Sequence, residues 1–142
     1  CAKQYLLRNY KKIKGIEFQK YLEENFKDGF HIHTPSTSTP KDGPSAGCAF
    51  TCAIISRILD KKIRNDIGMT GEIELTGKVT KIGGLVYKLI GAKKAGITKV
   101  YISNENSKDL EDIKKKYPKL INNKFKTQLV SNIEDFINDI LI

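Results

Sequence analysis

The chain has 142 residues, with 25 Lys and Arg against 16 Asp and Glu, a formal net charge of +9 and no Trp. A chain of this length is normally one domain, and its 39% hydrophobic and 29% charged residues give a folded globular balance, not that of a disordered tail. No apolar run approaches the roughly 18 residues of a bilayer-spanning helix, so no membrane partner is expected.

Of the basic residues only Arg8, Arg57 and Arg64 are Arg, and the lysines are scattered from Lys3 to Lys126. A dedicated nucleic-acid surface favours Arg for two-pronged phosphate contacts, with aromatic residues interleaved for stacking. Neither clusters here, so the charge supports weak nucleic-acid binding and little more. Cys48 and Cys52 lie four apart in an apolar helical stretch and, with Cys1, read as thiols in a reducing compartment. The chain starts at Cys1 with no signal-peptide pattern, as expected of a piece of a longer protein.

In chain order, Ala2 to Tyr10 and Glu17 to Phe26 predict two amphipathic helices separated by Gly15. Phe30 to His33 alternates apolar and polar and predicts a strand. A Pro/Ser/Thr loop from Thr34 to Gly43 leads to Pro44, where a helix running to Leu59 is expected. Gly71 to Ile82 predicts a hairpin turning near Thr76-Gly77, and Gly84 to Gly96 a helix closed by its C-terminal glycine. Thr98 to Ile102 reads as a buried strand, Ser107 to Lys116 as a helix capped by Ser107, Lys126 to Val130 as a strand and Asn132 to Leu141 as a helix. The expected class is α+β (mixed α/β), in one domain.

Pro40-Lys-Asp-Gly-Pro-Ser-Ala-Gly47 is the segment that carries most chemistry. It places Ser45 in the first turn of a helix, where backbone N–H groups lack intrahelical acceptors and the helix dipole favours negative charge. Two readings are open from this segment: a nucleophile, or a helix cap. His31 and His33 share a strand face, but no third group orients them, so a Ser-His-Asp arrangement is weak. Lysine is the other candidate base, and it must be desolvated to lose its proton near neutral pH. On a helical wheel Lys88 shares a face with Gly84, Leu85, Gly91, Ala92 and Ala95, whereas Lys93 and Lys94 point away. A lysine snorkelling out of a packed face fits the same pattern. Cys48 and Cys52 follow Ser45 away from the exposed turn, and zinc-ligand spacing is missing, so they read as core and no metal is expected. Gly71 to Gly77-Lys78 has one residue too many for a phosphate-binding loop, and Val79 stands where Ser or Thr would hold magnesium.

Pro40-Lys-Asp-Gly-Pro-Ser45-Ala-Gly, Met69-Thr-Gly-Glu72, Gly83-Gly84-Leu85 with Lys88, Ala95-Gly96-Ile97, and Asn104-Glu105-Asn106 with Asp109-Leu110 follow one another in an order and spacing that resembles the proteolytic domain of Lon proteases. The resemblance runs along nearly the whole stretch from His31 to Leu110. It implies an ATP-dependent serine endopeptidase of unfolded or regulatory proteins, with Ser45 as nucleophile and Lys88 as general base. It also implies Thr70 as the threonine that orients the lysine. The oxyanion stabilisers would fall at the backbone of Ser45 and of the loop around Asp42 and Gly43, with Asp42 associated with opening and closing that loop. An Asp there can cap the very N–H groups an oxyanion needs. The similarity further implies a homo-hexamer in the full protein, located in a bacterial cytoplasm or mitochondrial matrix. ATP and magnesium would bind in an ATPase module ahead of this domain, residues 1–142 being a proteolytic domain that lacks its N-terminal strand hairpin. The sequence departs from the usual pattern at Pro35 to Thr39, at Val86-Tyr87 where Lys-Glu is usual, and at Ser103 where Pro is usual. None of these touches the dyad. A contrasting expectation is a non-catalytic Lon-fold module for interaction or nucleic-acid binding; retention of both Ser45 and Lys88 favours the enzyme.

Overall fold

The computed structural model describes residues 1–33 and 43–142. Apolar residues three and four apart, Ala2, Tyr5 and Leu6, bury one side of α1 (Ala2–Asn9). Where the sequence suggests only a break at Gly15, the chain makes a two-residue hairpin between β1 (Lys12–Ile13) and β2 (Ile16–Glu17). Lys14 and Gly15 take φ of 51° and 81°, the paired positive values of the turn whose twist suits a tight hairpin. The Glu17 carboxylate then accepts from the N–H groups of Gln19 at 3.0 Å and Lys20 at 3.2 Å, capping α2 (Phe18–Asn25).

The strand expected at Phe30 to His33 is not formed: these residues belong to no ladder, and all four are exposed. Alternation supplies two faces but not a neighbouring strand, and an extended segment becomes a strand only when its N–H and C=O groups find one.

Helix α3 (Gly47–Leu59) buries Cys48, Thr51, Cys52, Ile55 and Ile58 along one side. It is followed by β3 (Ile67–Thr70), a strand that its own residues do not signal because Gly68 and Met69 interrupt any alternation. The predicted hairpin is present as β4 (Glu72–Ile73) and β5 (Val79–Thr80), with Gly77 at φ 93° in the turn. Helix α4 (Leu85–Lys94) ends as predicted at Gly96, whose φ is 81°. The Gly96 N–H donates to the Lys93 carbonyl and Ile97 N–H to Ala92, the two bonds of a glycine-closed helix end.

Strand β6 (Lys99–Ser103), a 3-10 turn (Asn104–Asn106) and α5 (Ser107–Lys116) come next. The cap falls on Ser103, whose hydroxyl accepts from the Glu105 N–H at 3.1 Å, and not on Ser107. Strand β7 (Lys126–Val130) precedes a second 3-10 turn (Ile133–Asp135) and α6 (Ile137–Ile140), so the last predicted helix is split. Asn132 and Asp135 form a capping box there, which fixes the short turn.

The fold is α+β. Its centre is a parallel sheet in the order β3-β6-β7, with Met69 opposite Tyr101 and Tyr101 opposite Gln128. β6 is the middle strand, and Val100 to Ser103 are all buried. Tyr101 and Val130 face one apolar cluster, shared with α1 and α3, while Val100 and Ile102 face a second, built on Leu85, Leu89, Leu110 and Ile113. Helices therefore cover both faces, as a parallel sheet requires.

Polar residues lock the starting ends of these strands. Arg64 donates twice to Asp66, at 3.0 and 2.8 Å, and the Thr98 hydroxyl donates to the same carboxylate at 2.9 Å. Lys99 donates to Asp139 at 2.9 Å, and the Tyr101 hydroxyl also donates to Asp139. The Arg64 hydrogen bonds, with help from Thr98, hold the Asp66 carboxyl at about 2, against an ordinary 3.8. The folded state thus binds this proton more weakly than the unfolded state. The stabilisation is fully present above the unfolded value and is lost as pH falls through about 2. Denaturant titrations should find Asp66→Asn less stable than the parent at pH 7, with the difference shrinking between about pH 4 and pH 2. A difference that stays constant across that range would remove the ion pair from the acid transition.

Candidate active site

Ser45 is held by its own backbone. Pro44 opens a tight turn closed by the Gly47 N–H donating to the Pro44 carbonyl at 2.9 Å, and the first helical bond runs from Phe50 N–H to Ala46 at 3.0 Å. Ser45 therefore lies in the turn just ahead of α3, not in its first turn as the sequence suggests. The reason is a competing set of partners: the Ser45 carbonyl accepts from the Gly71 N–H at 3.1 Å and the Thr70 hydroxyl at 3.5 Å. The Cys48 N–H in turn donates to the Gly71 carbonyl at 3.2 Å. Two N–H groups at the head of α3, those of Gly47 and Cys48, are thus already satisfied.

Lys88 projects from α4 on its less packed flank. Leu85 and Leu89 fill the apolar cluster beneath the helix, leaving Lys88 half-buried beside Gly91 and Ala92. A cleft of about 420 Å³ lies between this flank, β3 and the start of α3. It is lined by Ser45, Ala46, Ala49, Gly68, Met69, Thr70, Lys88, Gly91, Ala92 and Val100. Three residues singled out from sequence, Ser45, Thr70 and Lys88, thus share one apolar-walled depression. Gly43 is exposed at φ 84° and lines a smaller cleft of about 210 Å³ on the other side of the turn, with Gly47, Phe50, Glu72 and Ile73. Asp42 lies outside the described residues.

The histidines are elsewhere. His31 and His33 line a separate groove with Phe50, Ile54 and Arg57 along α3, and neither borders the Ser45 cleft. Cys48 and Cys52 are core residues, with burial pushing their thiols up to about 11 and about 12. Thiols so far from ionising are poor nucleophiles. Among the described residues, no group of three or more His, Cys, Asp or Glu side chains is placed to hold a metal ion. None of the described helices is long and apolar enough to cross a membrane.

Sequence reasoning assigned no role to two buried polar residues that position α4. Asn106 is fully buried, accepts from the Ile82 N–H at 3.0 Å and donates to the Ile82 carbonyl at 2.9 Å and to Asp109 at 2.7 Å. Ser103, also fully buried, donates to the Val79 carbonyl at 2.9 Å. Together they tie β5 and the approach to α4 onto the end of β6 and the 3-10 turn after it. Asn106 sits in the conspicuous run Asn104-Glu105-Asn106, yet nothing local marks which of its polar groups turns inward.

The matched sequence model describes the Lon protease (S16) C-terminal proteolytic domain and covers residues 3–142. The chain belongs to that family. A Lon protease homolog of Acanthamoeba polyphaga mimivirus is 55% identical over 116 residues, 82% of this chain and 11% of the relative. The Lon protease of Finegoldia magna is 38% identical over 136 residues, covering 96% of this chain and 16% of its own length. A protein of Bos taurus named as a mitochondrial Lon protease homolog is 49% identical over 83 residues, 58% of this chain and 9% of its own. This Lon-family domain thus spans only a small part of the curated relatives it matches, and the matched stretch includes every residue of the cleft.

Two variants separate positioning from wall. Replacing Asn106 with Ala leaves the buried Ile82 N–H and C=O unpaired, and the urea midpoint should fall by an amount equivalent to about 2 kcal/mol. Gly91 lies inside α4, and a Cβ there meets nothing within 4 Å. Gly91→Ala should raise stability by roughly 0.5–1 kcal/mol in the same titration; a loss instead would mean the flank of α4 is closed.

Proposed function

We propose that this Lon-family domain is the peptidase part of an ATP-dependent serine endopeptidase, working through a Ser45–Lys88 dyad. The observation that carries the reading is the single cleft shared by Ser45, Lys88 and Thr70. Small residues, Ala46, Gly91 and Ala92, border it and let a substrate backbone approach. A bound polypeptide would cover the half-buried Lys88 and displace water from it, which favours the neutral amine that a general base requires.

Neutral Lys88 Nζ takes the proton of the Ser45 hydroxyl as Oγ attacks the peptide carbonyl. The resulting ammonium returns that proton to the leaving amine, and water then hydrolyses the ester by the same relay. The Thr70 hydroxyl, which donates to the Ser45 carbonyl, retains acceptor capacity for the Lys88 ammonium. With the Gly47 and Cys48 N–H groups already engaged, the oxyanion falls to donors ahead of them: the Ser45 backbone and the loop at Asp42 and Gly43, where Asp42 would govern access. The apolar wall formed by Met69, Ala49 and Val100 suits an apolar substrate side chain beside the scissile bond.

At the level of the whole protein the reading is a homo-hexamer that degrades unfolded or regulatory proteins. The three free thiols suit a reducing compartment, the bacterial cytoplasm or mitochondrial matrix. ATP and magnesium would be held by an ATPase module of the full protein. The stretch from Gly71 to Lys78 does not fit a phosphate-binding loop: it belongs to the β4–β5 hairpin, with Val79 at the magnesium-ligand position.

A peptidyl fluorophosphonate, applied to the full-length protein carrying this domain, tests the dyad. Mass spectrometry should place the adduct on Ser45, and Lys88→Ala should slow labelling by about 10²–10⁴-fold. No adduct on Ser45, or an unchanged rate in Lys88→Ala, would sink the dyad and favour a non-catalytic interaction or nucleic-acid-binding module.

A further inference from the structure

Strand β3 ends at Thr70, and the Ser45 turn meets the next residue, Gly71, backbone to backbone. The Gly71 N–H reaches the Ser45 carbonyl at 3.1 Å, and the Gly71 carbonyl accepts from the Cys48 N–H at 3.2 Å. One residue thus grips the turn on both sides of Ala46 and Gly47. Gly71 is buried, and its φ is not among the positive ones, so its backbone shape does not demand glycine. Space does. A Cβ on Gly71 would stand 2.5 Å from Val79 Cγ1 and 3.0 Å from Cys48 Sγ, far inside ordinary carbon contact. Across the same seam, a Cβ on Gly47 would lie 3.1 Å from Ile73 Cγ2 and 3.2 Å from Ile73 N.

The two sides of this seam are not equally free to yield. Val79 is pinned through both of its main-chain groups: its N–H donates to the Ser131 carbonyl at 2.9 Å and its carbonyl accepts from Ser103 at 2.9 Å. The Ser45 turn on the opposite side follows an exposed Gly43 and Pro44. A side chain introduced at position 71 therefore displaces the turn, not the hairpin.

We infer that Gly71 is a positioning residue for Ser45: by lacking a side chain it lets the nucleophile turn dock on the end of β3, which sets the placement of Ser45 against Lys88. This rests on the peptidase reading above. Gly71 acts through the turn and needs no contact with substrate.

The test uses full-length protein carrying Gly71→Ala, Val79→Ala, or both, with labelling by the peptidyl fluorophosphonate resolved into a binding constant and a maximal rate. In Gly71→Ala the maximal rate should fall roughly a hundredfold, as expected for a displacement near 1 Å, with the binding constant little changed. Val79→Ala removes the atom at 2.5 Å, so the double variant should recover most of the rate even though Val79→Ala alone leaves a small core void. Amide hydrogen exchange supplies a readout that needs no activity and monitors folding. Gly71→Ala should lose protection at the Cys48 N–H while the amides of β6 keep theirs. Parent-like labelling and parent-like Cys48 protection in Gly71→Ala would overturn the inference, as would a double variant with β6 protected but no gain in rate or Cys48 protection over Gly71→Ala. Failure of the dyad looks different: the parent is unlabelled or Lys88→Ala labels at the parent rate, while the Cys48 amide still reports on the seam.

Discussion

Two main-chain hydrogen bonds between Gly71 and the Ser45–Cys48 turn join the parts of the molecule from which the cleft is built. They are ordinary in strength, worth about 1 kcal/mol each in net terms. Their effect on geometry is larger, because they form between a strand end and a helix start that pack without intervening side chains. Ser45 projects where it does because its carbonyl is committed to β3 and not to the helix that follows. The same docking delays α3 until Gly47, with the Gly47 N–H closing the turn onto the Pro44 carbonyl and the Cys48 N–H donating to the Gly71 carbonyl.

The Lys88 side of the cleft is positioned by different means. Helix α4 presses Leu85 and Leu89 into the second apolar cluster, which sets its rotation, and this leaves a flank of small residues around Lys88. Its lengthwise placement depends on the chain entering it, and there the buried amide of Asn106 brackets the Ile82 peptide. Burying a polar side chain is costly unless its hydrogen bonds are made. Asn106 makes three, and so converts burial into a unique register. The Arg64–Asp66 and Lys99–Asp139 pairs do comparable work at the starting ends of the strands. They are partly exposed to solvent, so each adds alignment and only a modest amount of stability.

Much of this was legible in the residues. Periodicity located α1 to α5, β6 and β7 within a few positions, and Gly77 and Gly96 stand in the backbone conformations their turns require. The helical wheel also separated Lys88 from Lys93: the first borders the cleft, while the second reaches the carbonyls of Lys119 and Leu120. The misreadings share a cause. Phe30 to His33 has the alternation of a strand but no described neighbour, whereas Ile67 to Thr70 lacks the alternation and is a strand because β6 lies beside it. Strand identity depends on partners distant in sequence, which local pattern does not contain.

The sequence by itself determined the family and the class of fold, since these follow from side-chain type, spacing and intrinsic backbone preference. Tertiary structure alone decided that Ser45 stands ahead of its helix, that Ser45, Thr70 and Lys88 border one cleft while both histidines border another, and that Gly71 must lack a side chain. Each of these depends on how closely separate elements approach, and a contact of 2.5 Å between an added Cβ and Val79 is written in no short stretch of the chain.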